Sequence, residues 1–178
     1  MPILGNGDIA RVLHDRPDRL FFASGVSNSR EERESEYQRE VDLLLEQDRG
    51  MHIVYFSSLS VLYGVGRYLD HKREQEARVK AEFDRYTVVR IGNITWGSNP
   101  NTFINALRTK IASGEPFEVY DDYRYIVDAE ELNYWVDRAP DWSCEMNIPG
   151  RRLKVQEAID QYCYVGIQPK QGDIDERK

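Results

Sequence analysis

"HIVYFSSLSVLYG", residues 52–64, is the stretch on which the fold turns. From Ile53 to Phe56 every residue is β-branched or aromatic. A short apolar run without alternation reads as a strand covered on both faces, the situation of a parallel sheet. The strand runs into Ser57, Ser58 and Ser60, which puts hydroxyls where such sheets present their carboxyl ends. Serines there either cap the next segment or donate to a ligand. Just beyond lies "YLDHK", residues 68–72. On a helix Tyr68 and Lys72 share a face, so the ammonium could lower a phenol pKa that is ordinarily near 10. The same spacing also fits a charged, solvated helix face.

Upstream, Pro2–Leu4 reads as a short strand, "GNGDIA" (residues 5–10) as a glycine turn, and Asp8 to His14 as a helix. "RLFFASG", residues 19–25, is a buried strand ending in small residues. Residues 31–47 carry Tyr37, Val41, Leu44 and Leu45 at helical spacing. Downstream come a helix from Tyr68 to Phe83, a strand over "YTVVRIG" (86–92), and a helix over 100–113 that stops at Gly114. "PFEVY" is a short strand, "DAEELNYWVDRA" a helix, "CEMNIP" a strand and "KVQEAIDQYC" a last helix, before a polar tail from about Gln168.

Strands alternating with helices predict an α/β fold with a mostly parallel sheet, whose ligand sits at the carboxyl ends of the strands near the switch point. Gly5, Gly7, Ala23 to Ser29, Ser57 to Ser60 and Gly92 to Thr95 gather there. In the glycine turn, Gly7 would let the backbone approach a pyrophosphate, Ala10 would allow close helix packing, and Asp8 would cap the helix. A plain tight turn fits the same residues equally well.

The chain has 178 residues, 40% hydrophobic and 31% charged, with a formal net charge of −7. That fits one domain with a core of its own and favours a small ligand over a nucleic acid. Cys144 and Cys163 lack CxxC spacing and His14, His52 and His71 are scattered, so no metal site is expected. The N-terminus lacks the pattern of a signal peptide and no apolar run is long enough to span a bilayer. The expected setting is the cytoplasm, with no membrane partner.

Taken in order, these stretches resemble the extended short-chain dehydrogenase/reductase family, the NAD-dependent nucleotide-sugar epimerases and dehydratases. The resemblance rests on "GNGDIA", "FFASGVS", "YFSSLSVLYG", "YLDHK", "RIGNITWG", "IVDAEEL" and "MNIPGRRLKVQEAI", which span the chain from Ile3 to Ile159. It implies a Rossmann-like core over residues 1–100, with the remaining core elements and a reduced substrate lobe over 101–167 and a polar tail over 168–178. It implies NAD or NADP as cofactor and a small-molecule substrate such as a nucleotide sugar. Tyr68 would be the general acid/base, Lys72 the cation that lowers its pKa, and Ser58 the hydroxyl donor. Cofactor contacts would come from Gly5, Asn6, Gly7, Asp8, Ile9 and Ala10, from Ala23, Ser24 and Gly25, from Ser57, Tyr68 and Lys72, and from Arg90, Ile91, Gly92 and Asn93. Ser60 and Asn93 would contact substrate. A homodimer through residues 31–47 and 68–83 is a further implication.

The departures are equally specific. Only "DRPD" separates the first predicted helix from "RLFFASG", where the family carries its second and third strands. The residue that reads the adenosine ribose is therefore missing. Counting back from Tyr63 and Gly64, the usual catalytic hydroxyl falls on Leu59, flanked by Ser58 and Ser60. A catalytically silent descendant that binds a nucleotide or a partner is the alternative these departures raise.

Overall fold

In the computed structural model, which describes residues 3–164, the run from His52 becomes the middle strand of a five-stranded sheet. In chain order the first elements are β1 (Ile3–Leu4), β2 (Arg19–Phe22), α1 (Glu34–Leu45), β3 (His52–Ser58), α2 (Arg67–Glu82) and β4 (Arg85–Ile91). Then follow β5 (Asn93–Ile94), α3 (Phe103–Ser113), β6 (Tyr123–Val127), α4 (Ala129–Val136), β7 (Cys144–Ile148), β8 (Arg151–Lys154) and α5 (Val155–Tyr162). A 3₁₀ turn, Leu59–Leu62, bridges β3 and the loop before α2.

The main sheet is wholly parallel, in the order β1-β2-β3-β4-β7. Side-chain alternation gives it two buried faces. Leu20, Phe22, Ile53, Tyr55 and Val88 meet Leu44 of α1 and Val79 of α2 on one face. On the other, Phe21, Val54, Phe56, Val89 and Ile148 meet Leu132 and Val136 of α4, together with Leu13. The sheet is thus the mostly parallel α/β sheet read from the sequence, without the second and third strands of the longer pattern.

That loss changes the topology in a way the sequence reading did not draw out. The two-residue β1 is an edge, so among the described residues the strand order never reverses and the sheet has no switch point. The helix expected from Asp8 to His14 is not formed either. Residues 8–12 are turns, held by Arg11 N–H to the Gly7 carbonyl (3.2 Å) and Val12 N–H to the Ile9 carbonyl (3.2 Å). So short a segment, ending at Pro17, cannot offset its nucleation cost. Ile9 and Val12 pack on the α4 side of the sheet instead, and the Asn133 side chain donates to the Val12 carbonyl (2.6 Å).

A second sheet, β5-β6-β8, pairs β5 with β6 parallel and β6 with β8 antiparallel. Against it lie α3 and α5, around Ile104, Ile126, Val155, Ala158 and Ile159. The "PFEVY" strand is absent; "NI" and "RRLK" do form strands but lack the apolar run that would announce them. Gly92 lies where the sheets meet: a Cβ there would lie 2.5 Å from the Pro149 carbonyl oxygen and 2.8 Å from that of Tyr125. Gly114 ends α3 in the left-handed conformation, as its position predicted. Both cysteines are free thiols, and no helix among the described residues is long and apolar enough to cross a membrane. The tail from residue 168 lies outside the described residues.

Candidate active-site cleft

The carboxyl ends of β1 to β4 open onto a cleft of about 1300 Å³, closed on its far side by the start of α3. It is larger than most small-ligand pockets, which run to roughly 1,000 Å³. Most of the residues singled out from the sequence line it: Asn6 to Ile9, Ala23 to Gly25, Ser57, Ser58, Ser60, Tyr68, Lys72, and Ile91 to Asn93.

Gly5, Ala10 and Arg90 do not line it. Gly5, with φ +132°, faces the Ala23 carbonyl, so its missing side chain serves strand packing. Ala10 is buried under the turn. Arg90 lies in strand register with Ser57 and turns to α2, where Nε donates to Glu76 Oε1 (3.0 Å), while Nη2 donates to Glu145 Oε2 on β7 (2.5 Å). Its guanidinium is committed to an ion-pair network away from the cleft.

The glycine turn is the more open end. A Cβ built on Gly7 meets nothing within 4 Å. Asp8 does not cap a helix; its carboxylate accepts from the backbone N–H groups of Ser98 (3.0 Å) and Asn99 (2.9 Å). The Trp96 indole N–H donates to the Asp8 carbonyl (2.9 Å), and the carboxylate packs on Gly97, where φ is +88°. This pins the turn to the loop before α3 and satisfies the Asp8 carboxylate with two backbone amides.

The other end is crowded. α1 and α2 meet over β3, and Lys72, 2% exposed, is locked there. Its Nζ donates to Glu40 Oε1 (3.0 Å) and Oε2 (3.3 Å) and to the Tyr55 hydroxyl (3.2 Å). Glu40 also accepts from Tyr55 Oη (2.7 Å) and Val26 N–H (2.6 Å), with His71 Nε2 at 3.1 Å. Burial alone would raise the Glu40 pKa, but Lys72, His71, Tyr55 and the Val26 amide together hold it well below the usual carboxylate range. Gly25 closes the cluster: a Cβ there would lie 2.6 Å from Lys72 Nζ and 2.8 Å from Glu40 Oε1.

Tyr68 and Lys72 are brought together as the i, i+4 spacing requires, with Nζ 5.9 Å from the centre of the Tyr68 ring. The expected lowering of the phenol pKa does not follow. Burial raises it, the lysine charge opposes that, and Glu40 and Tyr37 add to the rise, so the net direction is upward. Tyr68 is therefore a phenol at neutral pH, equipped to give a proton rather than to take one.

The serines divide their duties. Ser58 Oγ accepts from the Ser60 amide (3.2 Å) and so caps the 3₁₀ turn, leaving its own proton available. Ser57 Oγ is buried with no partner among the described residues. Leu59 points into the protein and is 6% exposed. Asn93 donates its side-chain amide to the Tyr125 carbonyl (3.1 Å), tying the two sheets together.

Glu40, Tyr55 and His71 escaped the sequence reading. One signal was available: Tyr37, Glu40 and Leu44 form the buried line of α1, so a carboxylate stands in the middle of an apolar stripe.

No protein-family model matches the chain, and no curated protein matches it in sequence. Solved structures do match in fold. A UDP-glucuronic acid 4-epimerase from Bacillus cereus, in complex with NAD and a fluorinated UDP-sugar, aligns with a TM-score of 0.61 at 14% identity, over 88% of this chain and 62% of that one. A UDP-N-acetylglucosamine 4-epimerase from Methanobrevibacter ruminantium aligns at 0.60 and 17% identity, over 87% and 62%. RMD from Pseudomonas aeruginosa, complexed with NADPH, aligns at 0.51 and 18%, over 71% and 54%. The chain thus spans between about half and three fifths of the length of these proteins. The likeness is one of fold: the chain shares the parallel α/β architecture of these epimerases in a shortened form.

Proposed function

We propose that the cleft binds a nicotinamide dinucleotide and that the chain acts as an NAD(P)-dependent epimerase, dehydratase or reductase on a nucleotide sugar or related hydroxyl compound. The observation that carries this reading is convergence: the glycine turn, the serine-ended strand, the Tyr68–Lys72 pair and the β4 end all line one cleft large enough for a dinucleotide and a substrate. The structural neighbours that carry NAD or NADPH support the same class.

The pyrophosphate half of such a cofactor fits the residues present. The backbone at Gly7 is open on its cleft side and the Asp8 carboxylate is already engaged by two backbone amides. Asn6 to Ile9 and Ala23 to Gly25 would hold this half, and Ile91 to Asn93 the far wall. Bound there, the cofactor would supply hydride exchange at the nicotinamide ring. Tyr68 would deliver a proton to a substrate oxygen, Ser58 would donate a hydrogen bond from its free hydroxyl to the same oxygen, and Ser60 would help to orient it. The raised phenol pKa suits the direction in which a carbonyl is reduced.

Replacing Tyr68 with Phe tests the assignment. Turnover should fall by about 10² to 10⁴-fold while dinucleotide binding persists. Unchanged turnover would remove Tyr68 from the mechanism.

A second reading, a catalytically silent nucleotide- or partner-binding protein, is favoured by the pairing of Lys72 with Glu40 and by Leu59 at the hydroxyl position. The two readings part on whether a chain that binds the dinucleotide also turns over any hydroxyl substrate.

A further inference from the structure

We propose that Glu40 is a positioning residue that clamps the Lys72 ammonium and spends its charge, so that Tyr68 rests as a proton donor. This deepens the proposed function and rests on the assignment of Tyr68 and Lys72 to the reacting pair.

The geometry is specific. Both Glu40 oxygens receive the ammonium, at 3.0 and 3.3 Å, inside a cluster in which Glu40 is wholly buried and Lys72 nearly so. Two further groups, the Val26 amide and the Tyr55 hydroxyl, fix the carboxylate in place. Gly25 leaves room for both charged groups, because any side chain there would collide with them. A buried pair held this way costs desolvation that an apolar pair would not incur, so stability alone is a poor reason for it.

The charged and titratable groups around the pair come from every element packed on it. α1 supplies Glu40 and Tyr37, and α2 supplies His71, Lys72 and Glu76. β3 supplies Tyr55, and Arg67 stacks over the Tyr37 ring at 4.2 Å. Within this set Lys72 is the one cation in contact with Tyr55 and near Tyr68, and Glu40 is the anion that answers it. Removing the carboxylate charge while keeping its shape would leave the lysine's field acting on the phenol alone.

The test is a near-ultraviolet phenolate titration, taken as the difference between the parent and Tyr68→Phe, and repeated in a Glu40→Gln background. Tyr68 should titrate above the ordinary value of about 10 in the parent, and fall by about one unit or more in Glu40→Gln. A Tyr68 titration that does not move between the two backgrounds would overturn the proposal. Because Glu40→Gln could fail to fold, the unaltered protein carries an independent readout. Nitrogen-15 spectra of labelled lysine should show a slowly exchanging, hydrogen-bonded ammonium that disappears in Lys72→Met. A freely exchanging Lys72 ammonium would refute the clamp. Neither readout uses a cofactor or turnover. Failure to bind a dinucleotide would therefore refute the proposed function and leave the clamp standing.

Discussion

The two faces of the main sheet are buried to a similar degree but by different chemistry. On the α4 side, Phe21, Val54, Phe56 and Val89 form an apolar layer that continues to the strand ends. On the α1/α2 side the layer is apolar only as far as Tyr55; beyond it lie Glu40, His71 and Lys72, and then the cleft. One face does the work of holding the fold, and the other gives up part of its apolar core to place charge beside a tyrosine. A polar cluster so deeply buried is a common mark of a functional site.

The difference can be broken first by removing charge. Glu40→Ala leaves the Lys72 ammonium buried without its anionic partner and should cost about 3–5 kcal/mol in denaturant unfolding. Phe21→Ala on the opposite face should cost a similar amount, about 3–5 kcal/mol, through its cavity. The two are told apart by a second substitution. Lys72→Met added to Glu40→Leu should recover most of the loss, since an apolar pair of similar volume is neutral or better. No second change at Lys72 should rescue Phe21→Ala.

A smaller effect separates the faces by pH. The Glu40 pKa is held down in the folded state, so the stability it contributes is fully present above the unfolded carboxylate value of about 4.3 and is lost as pH falls toward the folded value. Glu40→Gln should flatten the decline of stability on the acid side, measured by thermal unfolding from neutral pH down to about 3. Phe21→Ala should lower the whole curve and keep its shape. Equal slopes in the two variants would show that the polar cluster is not what couples this fold to protons.

The smallest effect lies at the glycine turn. Gly7→Ala should change stability by less than about 0.5 kcal/mol, because its Cβ would enter open space. Gly5→Ala should cost about 1–3 kcal/mol, because φ is +132° there and the Ala23 carbonyl already occupies the space. Paired unfolding curves of the two variants check this.

Much of this arrangement was legible in the sequence, for physical reasons. β3 declared itself through an unbroken apolar run, and α2 through the spacing that puts Tyr68, Lys72 and Val79 on one side. The N-cap of α4 at Asp128 and the stop at Gly114 follow from side-chain and backbone chemistry within a turn. What stayed hidden depends on partners distant in the chain. The helix expected after "GNG" yielded to packing of Ile9 and Val12 against the sheet and to the tie between Asp8 and residues 98–99. Arg90 was taken from the cleft by Glu76 and Glu145, and the lysine's charge by a carboxylate 32 residues earlier. Strands β5 and β8 carry little apolar pattern of their own and exist through their pairing with β6.

The central claim is that the shortened cleft still takes a nicotinamide dinucleotide. Calorimetric titration of the purified chain with NAD, NADH, NADP and NADPH tests it most directly. The account predicts saturable binding of at least one of the four in the micromolar range, weakened by a bulky residue at Gly7. Absence of heat with all four, in a chain shown to be folded, would contradict it.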